Sequence, residues 1–283
     1  MESNDTSGTT DTASNGTPDA ATQVGNIDTL DTTTPASSHD MQDTAKPLSP
    51  CKTEDSSRNG SCHGLVASEP SSINTVIFDF GEVLVPWDYH KAFASLPAAE
   101  VERFDQEFDF LRFNAQMDAG RSYSEALAEL GAQNPQWVTM VETYVANYPA
   151  TLGPPTEGSY DLVAELKTAG YRLYGLTNWW SETFPCAHQA IPAIRMMDGI
   201  VVSGDEKVAK PDEEIFRILC ERYAIEPAQA VFIDDNANNV AGGATYGFHT
   251  VHFTDVPSTR RALVDLGVKV KLPSEACANP RTG

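Results

Sequence analysis

No apolar stretch in this 283-residue chain approaches the roughly 20 residues needed to cross a bilayer. The N-terminus has neither the basic start nor the apolar centre of a secretion signal, so the expected location is cytoplasmic, with no membrane partner. Paired cysteines are missing too. Cys51, Cys62, Cys186, Cys220 and Cys277 show no C-x-x-C spacing, and an odd, scattered set reads as reduced thiols. Cys62-His63 beside Cys51 offers too few ligands for a metal centre and reads as incidental. Basic residues are the third shortage, with 19 Lys and Arg against 40 Asp and Glu and a formal net charge of −21. Such a chain repels nucleic acid, and it can hold an anion only through local features: a metal ion, helix N-termini or a single Lys.

Residues 1–72 lack almost everything a core needs. They are dominated by Ser, Thr, Asp, Asn, Gly and Pro, with almost no aromatic or β-branched aliphatic residues and 11 acidic against 3 basic side chains. This stretch cannot bury enough surface to offset the entropy of ordering, so a disordered, solvated acidic spacer is expected there. A flexible tail is expected over 271–283.

From residue 73 onward apolar runs of strand length alternate with segments of helical periodicity. Strands are expected near 75–79, 171–177, 199–203, 230–234 and 248–253. Leu162, Val163 and Leu166 share one helical face, as do Ile215, Phe216, Leu219 and Tyr223. Connections of this length favour parallel pairing with right-handed crossovers. The expected fold class is therefore α/β: a three-layer, doubly wound parallel sheet, with the core formed by 73–87 and 155–270.

Four features fall at the ends of these strands. The first run ends in Asp79, where an open α/β sheet binds its ligands, and the fourth ends in Asp234-Asp235. Together they are expected to form one anionic site for a hard cation, with Asp79 placed to act as a nucleophile. Between them Thr177-Asn178 brings a hydroxyl and an amide to the same edge, although Thr177 could equally cap a helix beginning near Ser181. Lys210-Pro211 precedes an acidic first helical turn, Asp212-Glu213-Glu214, which suits the macrodipole. Trp179 could form an aromatic wall for a ring-shaped substrate or pack beneath neighbouring helices, while Trp180 reads as structural.

The ordered set of Asp79, Thr177-Asn178, Lys210-Pro211 and Asp234-Asp235 resembles that of the haloacid dehalogenase-like hydrolases, over residues 73 to about 255. The strings Phe78-Asp79-Phe80-Gly81-Glu82-Val83-Leu84 and Asp234-Asp235-Asn236-Ala237-Asn238-Asn239 are similar to those of bacterial α-D-glucose-1-phosphate phosphatases and of the phosphatase domain of soluble epoxide hydrolases. The resemblance implies a Mg²⁺-dependent phosphatase acting on a small phosphorylated metabolite, with a sugar phosphate among the candidates. Asp79 would form an aspartyl-phosphate. Asp79, the Gly81 carbonyl and Asp235 would hold Mg²⁺, with Asp234 in support. Lys210 would balance charge, and Thr177 and Asn178 would hydrogen-bond the transferring group. Asn239 would orient the acidic loop.

One departure from the family pattern matters. Most phosphatases of this kind carry a second Asp two residues after the nucleophile, as general acid and base, and here that position is Gly81. Glu82, Asp88 and His90 are near enough in sequence to substitute. The resemblance also implies a helical cap inserted over 88–154. Within it Phe104, Phe108 and Leu111 follow helical spacing, Ser122-Tyr123-Ser124-Glu125 has capping-box form, and Val138, Val141 and Val145 align. Arg112, Arg121, Phe113 and Asn114 are its candidates for substrate contacts. Two other readings remain open. A 2-haloacid dehalogenase also lacks the second Asp but works without metal, which would leave Asp234-Asp235 uncompensated. A non-catalytic binder of phosphate ligands would explain Gly81 but not the retained Asp79, Lys210 and Asp235.

Overall fold

The computed structural model describes residues 72–272. Cys51, Cys62, His63 and Cys277, and the expectations for the two tails, lie outside the described residues, apart from Ser72, Lys271 and Leu272.

Five strands form one parallel sheet: β1 (Thr75–Phe78), β2 (Arg172–Thr177), β3 (Gly199–Val202), β4 (Ala230–Asp234) and β5 (His249–His252), in the order β3-β2-β1-β4-β5. Each expected strand is present. β1 and β4 are buried along their whole length, as strands covered on both faces must be, whereas edge strand β5 exposes His249 and His252. Side chains alternate between two apolar layers. Val76, Phe78, Val231 and Ile233 face one, and Ile77, Ala230 and Phe232 the other.

Eleven helices are found among the described residues. Between β1 and β2 run α1 (Ala98–Glu107), α2 (Phe110–Asp118), α3 (Tyr123–Gln133), α4 (Val138–Ala146), the single turn α5 (Tyr148–Thr151) and α6 (Ser159–Thr168). The rest are α7 (Ala187–Ala190), α8 (Ser203–Glu206), α9 (Glu213–Tyr223), α10 (Ala237–Tyr246) and α11 (Val256–Asp265). Leu162, Val163 and Leu166 of α6 and Leu263 of α11 cover one face of the sheet. Ile215, Phe216 and Leu219 of α9 cover the other, giving three layers.

Two local expectations need correction. The run through Phe104, Phe108 and Leu111 is not one helix: α1 stops at Glu107, and Asp109 starts α2 by accepting a hydrogen bond from Arg112 N at 3.1 Å. Phe104 is buried, whereas Leu111 is 57% exposed. No helix begins near Ser181 either. Pro185 and Pro192 restrict that stretch to short 3₁₀ turns around the four-residue α7. The Ser122 cap is present: its hydroxyl accepts from Glu125 N and donates to the Glu125 carboxylate.

Helices α1 to α5 leave and rejoin the core through two linkers that pair with each other. Asp88 N donates to Thr151 O and Gly153 N to Pro86 O, both at 2.9 Å, around an antiparallel bridge between Trp87 and Leu152. The inserted helices meet the core on an aromatic seam, where Trp180 packs against Phe113, Tyr123 and Tyr144 and donates from Nε1 to Asn114 O at 3.1 Å.

Candidate active site

The strand order reverses between β1 and β4, and in a doubly wound sheet that crevice is where ligands bind. Asp79 follows β1, Asp234 ends β4, and Asp235 comes next. One ligand oxygen from each of the three carboxylates lies within 4.8 Å of the others.

Lys210 threads between them. Its ammonium lies 3.0 Å from Asp79 Oδ1, donates to Asp234 Oδ2 at 2.7 Å and donates to Leu176 O at 2.7 Å. Burial alone would lower the pKa of this ammonium, but the two carboxylates outweigh it and hold the pKa above its ordinary value. Asp234 is fully buried and closely held: besides Lys210 it accepts from Asn236 N and from Nδ2 of Asn239. Asp235 is more accessible. Burial, with Asp234 beside it, raises its pKa.

At Asp79 both hydrogen-bonding contacts fall on one oxygen. Phe80 N donates to Oδ1 at 2.7 Å and Lys210 approaches the same atom. Burial pushes the Asp79 carboxyl up to about 7, against the pull of Lys210 and with the push of Asp234. The turn that follows is shaped by a space and a bond. Glu82 adopts a left-handed backbone (φ 55°) and accepts from Trp87 N at 2.7 Å, while a Cβ on Gly81 would meet nothing within 4 Å.

Thr177, which ends β2, and Asn178 after it have different surroundings. Asn178 spends both ends of its amide on the Lys210 backbone, donating to Lys210 O at 3.0 Å and accepting from Lys210 N at 2.9 Å. It therefore positions Lys210, and it also lines the cavity over the carboxylates. The hydroxyl of Thr177 is fully buried and has no hydrogen-bond partner. A buried orphan of this kind, at the end of the strand next to β1, has an unused donor.

A cavity of about 210 Å³ opens over this edge. Asp79, Gly81, Glu82, Asn178 and Asp235 line it from the core, and Asn114, Asp118, Tyr144 and Tyr148 from the inserted helices. Trp179 joins them. It is 5% exposed and packs on Tyr148 and Phe184, with an indole N–H that has no hydrogen-bond partner, so both the wall and the packing readings hold in part. Arg112 is not brought to this cavity. It is exposed and lines a separate hollow with Phe108, Gln116 and Arg121, because it stands on α2 away from the face that carries Asn114 and Asp118. Asp88 and His90 are also elsewhere, occupied by the turn they cap and by Asp105.

Asp118 went unnoticed in the sequence. It is the last residue of α2, half-buried, and accepts from Asn114 Nδ2 at 2.8 Å. Burial pushes its carboxyl up to about 7, with Asp79 adding to the rise. One signal could have found it. A carboxylate at the negative end of a helix is electrostatically misplaced unless something else requires it there.

A family model for haloacid dehalogenase-like hydrolases matches residues 73–247. The chain is 32% identical to (S)-2-haloacid dehalogenase 4A of Burkholderia cepacia over 91 residues, which is 32% of this chain and 39% of that protein. It thus spans less than half the length of that relative. To D-ribitol-5-phosphate phosphatase of Bacteroides thetaiotaomicron it is 26% identical over 188 residues, 63% of this chain and 90% of that protein. Among solved structures, a haloacid dehalogenase family enzyme of the same organism, in complex with magnesium and inorganic phosphate, shares the fold with a TM-score of 0.53. That match has 18% identity and covers 65% of this chain and 96% of the other.

Proposed function

Because the chain belongs to the haloacid dehalogenase-like hydrolases, we propose that it is a Mg²⁺-dependent phosphatase, hydrolysing a small phosphorylated metabolite through an aspartyl-phosphate on Asp79. The observation that carries this reading is the charge balance at the sheet edge. Three carboxylates cluster with one ammonium, which pairs with two of them; ionised, they leave an excess of two negative charges that a divalent cation would neutralise. Carboxylates with a backbone carbonyl at Gly81 form a hard, all-oxygen donor set of the kind Mg²⁺ accepts. Held by Asp79, Asp235 and the Gly81 carbonyl, with Asp234 behind, Mg²⁺ would neutralise phosphoryl oxygens and favour ionised Asp79.

The protein's own groups account for the rest. With Oδ1 engaged by Phe80 N and Lys210, Oδ2 of Asp79 is the oxygen that attacks phosphorus in line. Lys210 offsets the charge of nucleophile and phosphate, and the unpartnered Thr177 hydroxyl and Trp179 indole donate to substrate oxygens. The inserted helices exclude bulk water. A space of about 210 Å³ is small for a ligand pocket and favours a compact alcohol part, such as a short sugar or polyol. The phosphatase relative, matched along most of its length, supports the same substrate class.

A second reading has one observation in its favour: the identity to a haloacid dehalogenase, in a chain that also lacks a second acid at Gly81. One pair of assays separates the two. Hydrolysis of p-nitrophenyl phosphate that EDTA stops and Mg²⁺ restores is the expected result. Chloride release from 2-chloropropionate that is indifferent to EDTA would overturn it.

A further inference from the structure

Gly81 leaves the phosphatase reading without the usual proton donor for the departing alcohol. At the sheet edge Lys210 is pinned between Asp79 and Asp234, Asp234 is saturated with bonds, Asp235 belongs to the cation site, and Oε1 of Glu82 ties its own turn to Trp87 N. On the wall contributed by the inserted helices, Asp118 is the sole carboxyl among the residues lining the cavity, and the space beside Gly81 is open.

The position of Asp118 is built. Asp118 ends α2, and two residues on, Gly120 takes a left-handed backbone (φ 84°) that brings the chain hard against the core. A Cβ there would sit 2.6 Å from Lys207 Cα and 2.8 Å from Gly204 O, so only glycine permits this approach. The seam is closed from the other side by Trp180 Nε1, bonded to Asn114 O, and the same Asn114 holds one oxygen of Asp118 through its side-chain amide. Tyr144 in turn reaches Asn114 Oδ1 at 3.4 Å.

We propose that Asp118, delivered by the inserted helices, is the proton donor and acceptor of this active site, in place of the acid that Gly81 lacks. The inference rests on the phosphatase reading above. In the first half-reaction an Asp79 oxygen bonds to phosphorus as the bond from phosphorus to the ester oxygen breaks, and that oxygen takes the Asp118 proton and leaves as an alcohol. In the second, Asp118 as carboxylate takes a proton from water while the water oxygen bonds to phosphorus. The acyl phosphate opens, Asp79 regains its carboxylate, phosphate departs and Asp118 is protonated again. Burial and the nearby Asp79 carboxylate keep the protonated form of Asp118 accessible near neutral pH.

The test is leaving-group dependence. The esters are p-nitrophenyl phosphate, whose anion departs unaided, and benzyl phosphate, whose alkoxide does not. Asp118→Asn preserves shape and the Asn114 contact. It should lower kcat/KM for benzyl phosphate by about 10²–10⁴-fold and for p-nitrophenyl phosphate by less than about tenfold. Asp118→Ala should show the same selectivity, with circular dichroism and a thermal melt checking that each variant folds. Equal losses on the two esters, or none on either, would overturn the proton-transfer role while leaving the phosphatase reading intact. A wild-type protein inert on both esters would instead defeat the phosphatase reading and the Asp118 role with it.

Discussion

The two walls of the cavity are built to different standards. On the core wall Asp234 is fully buried with bonds to Lys210, Asn236 N and Asn239, and Lys210 is held at its ammonium and at both ends of its backbone. On the inserted wall Asp118 is half-buried, with a single side-chain bond from its own helix. The core wall fixes where charge sits, as the electrostatic stabilisation proposed for a phosphoryl group would require. Proton transfer typically contributes a smaller factor, and the Gly120 approach and the Asn114 bonds place the proposed donor on a segment joined to the core through two linkers.

The most severe way to break this contrast is at the nucleophile. Asp79→Asn should reduce phosphatase turnover to background, on the order of 10⁴-fold or more, in a protein that still melts cooperatively; retained steady-state hydrolysis would show that another residue attacks. Next comes Lys210→Ala, which strands two buried carboxylates. It should cost about 3–5 kcal/mol by urea unfolding in metal-free buffer. No comparable loss should follow from removing Asp118, and if it does, the two walls are not different in kind.

Smaller effects sharpen the contrast. Gly120→Ala combines a strained backbone with a collision against Lys207, so it should destabilise by about 1–3 kcal/mol and lower kcat/KM for benzyl phosphate more than for p-nitrophenyl phosphate. The smallest effect concerns pH. The Asp118 carboxyl sits near 7 in the folded chain against 3.8 ordinarily, so the folded state binds the extra proton between those values and its contribution to stability falls as pH rises through them. Asp118→Asn removes that penalty. Without metal it should gain roughly 1–2 kcal/mol over wild type at pH 8 and nothing at pH 4, a difference that paired urea melts would read.

The carboxylate edge was legible because it is made of strand ends. Runs such as Thr75–Phe78 and Ala230–Asp234 are buried on both faces, so their sequence is apolar until the first polar residue, and that residue stands at the ligand edge. The inserted helices gave weaker signals. Phe104 and Phe108 carry a helical period across a break that only the Asp109 cap reveals, and Arg112 has the right charge on the wrong face. Asp118 was faint for a different reason. Its one local signal is an acid at the negative end of a helix, and its meaning depends on a cavity assembled from residues far apart in the chain. Asn178 was visible as a polar residue at the edge but not as a clamp, since the carbonyl it holds lies 32 residues away.

That clamp has a consequence for how the site can vary. The Asn178 amide meets the Lys210 peptide as a neighbouring strand would, one donor and one acceptor side by side. Aspartate differs from asparagine at this spot by little more than one atom, yet it would point a negative oxygen at the Lys210 carbonyl and turn an attraction into a repulsion. Deamidation at Asn178 would thus loosen the Lys210 backbone, while the ammonium keeps its contacts to Asp79, Asp234 and Leu176 O.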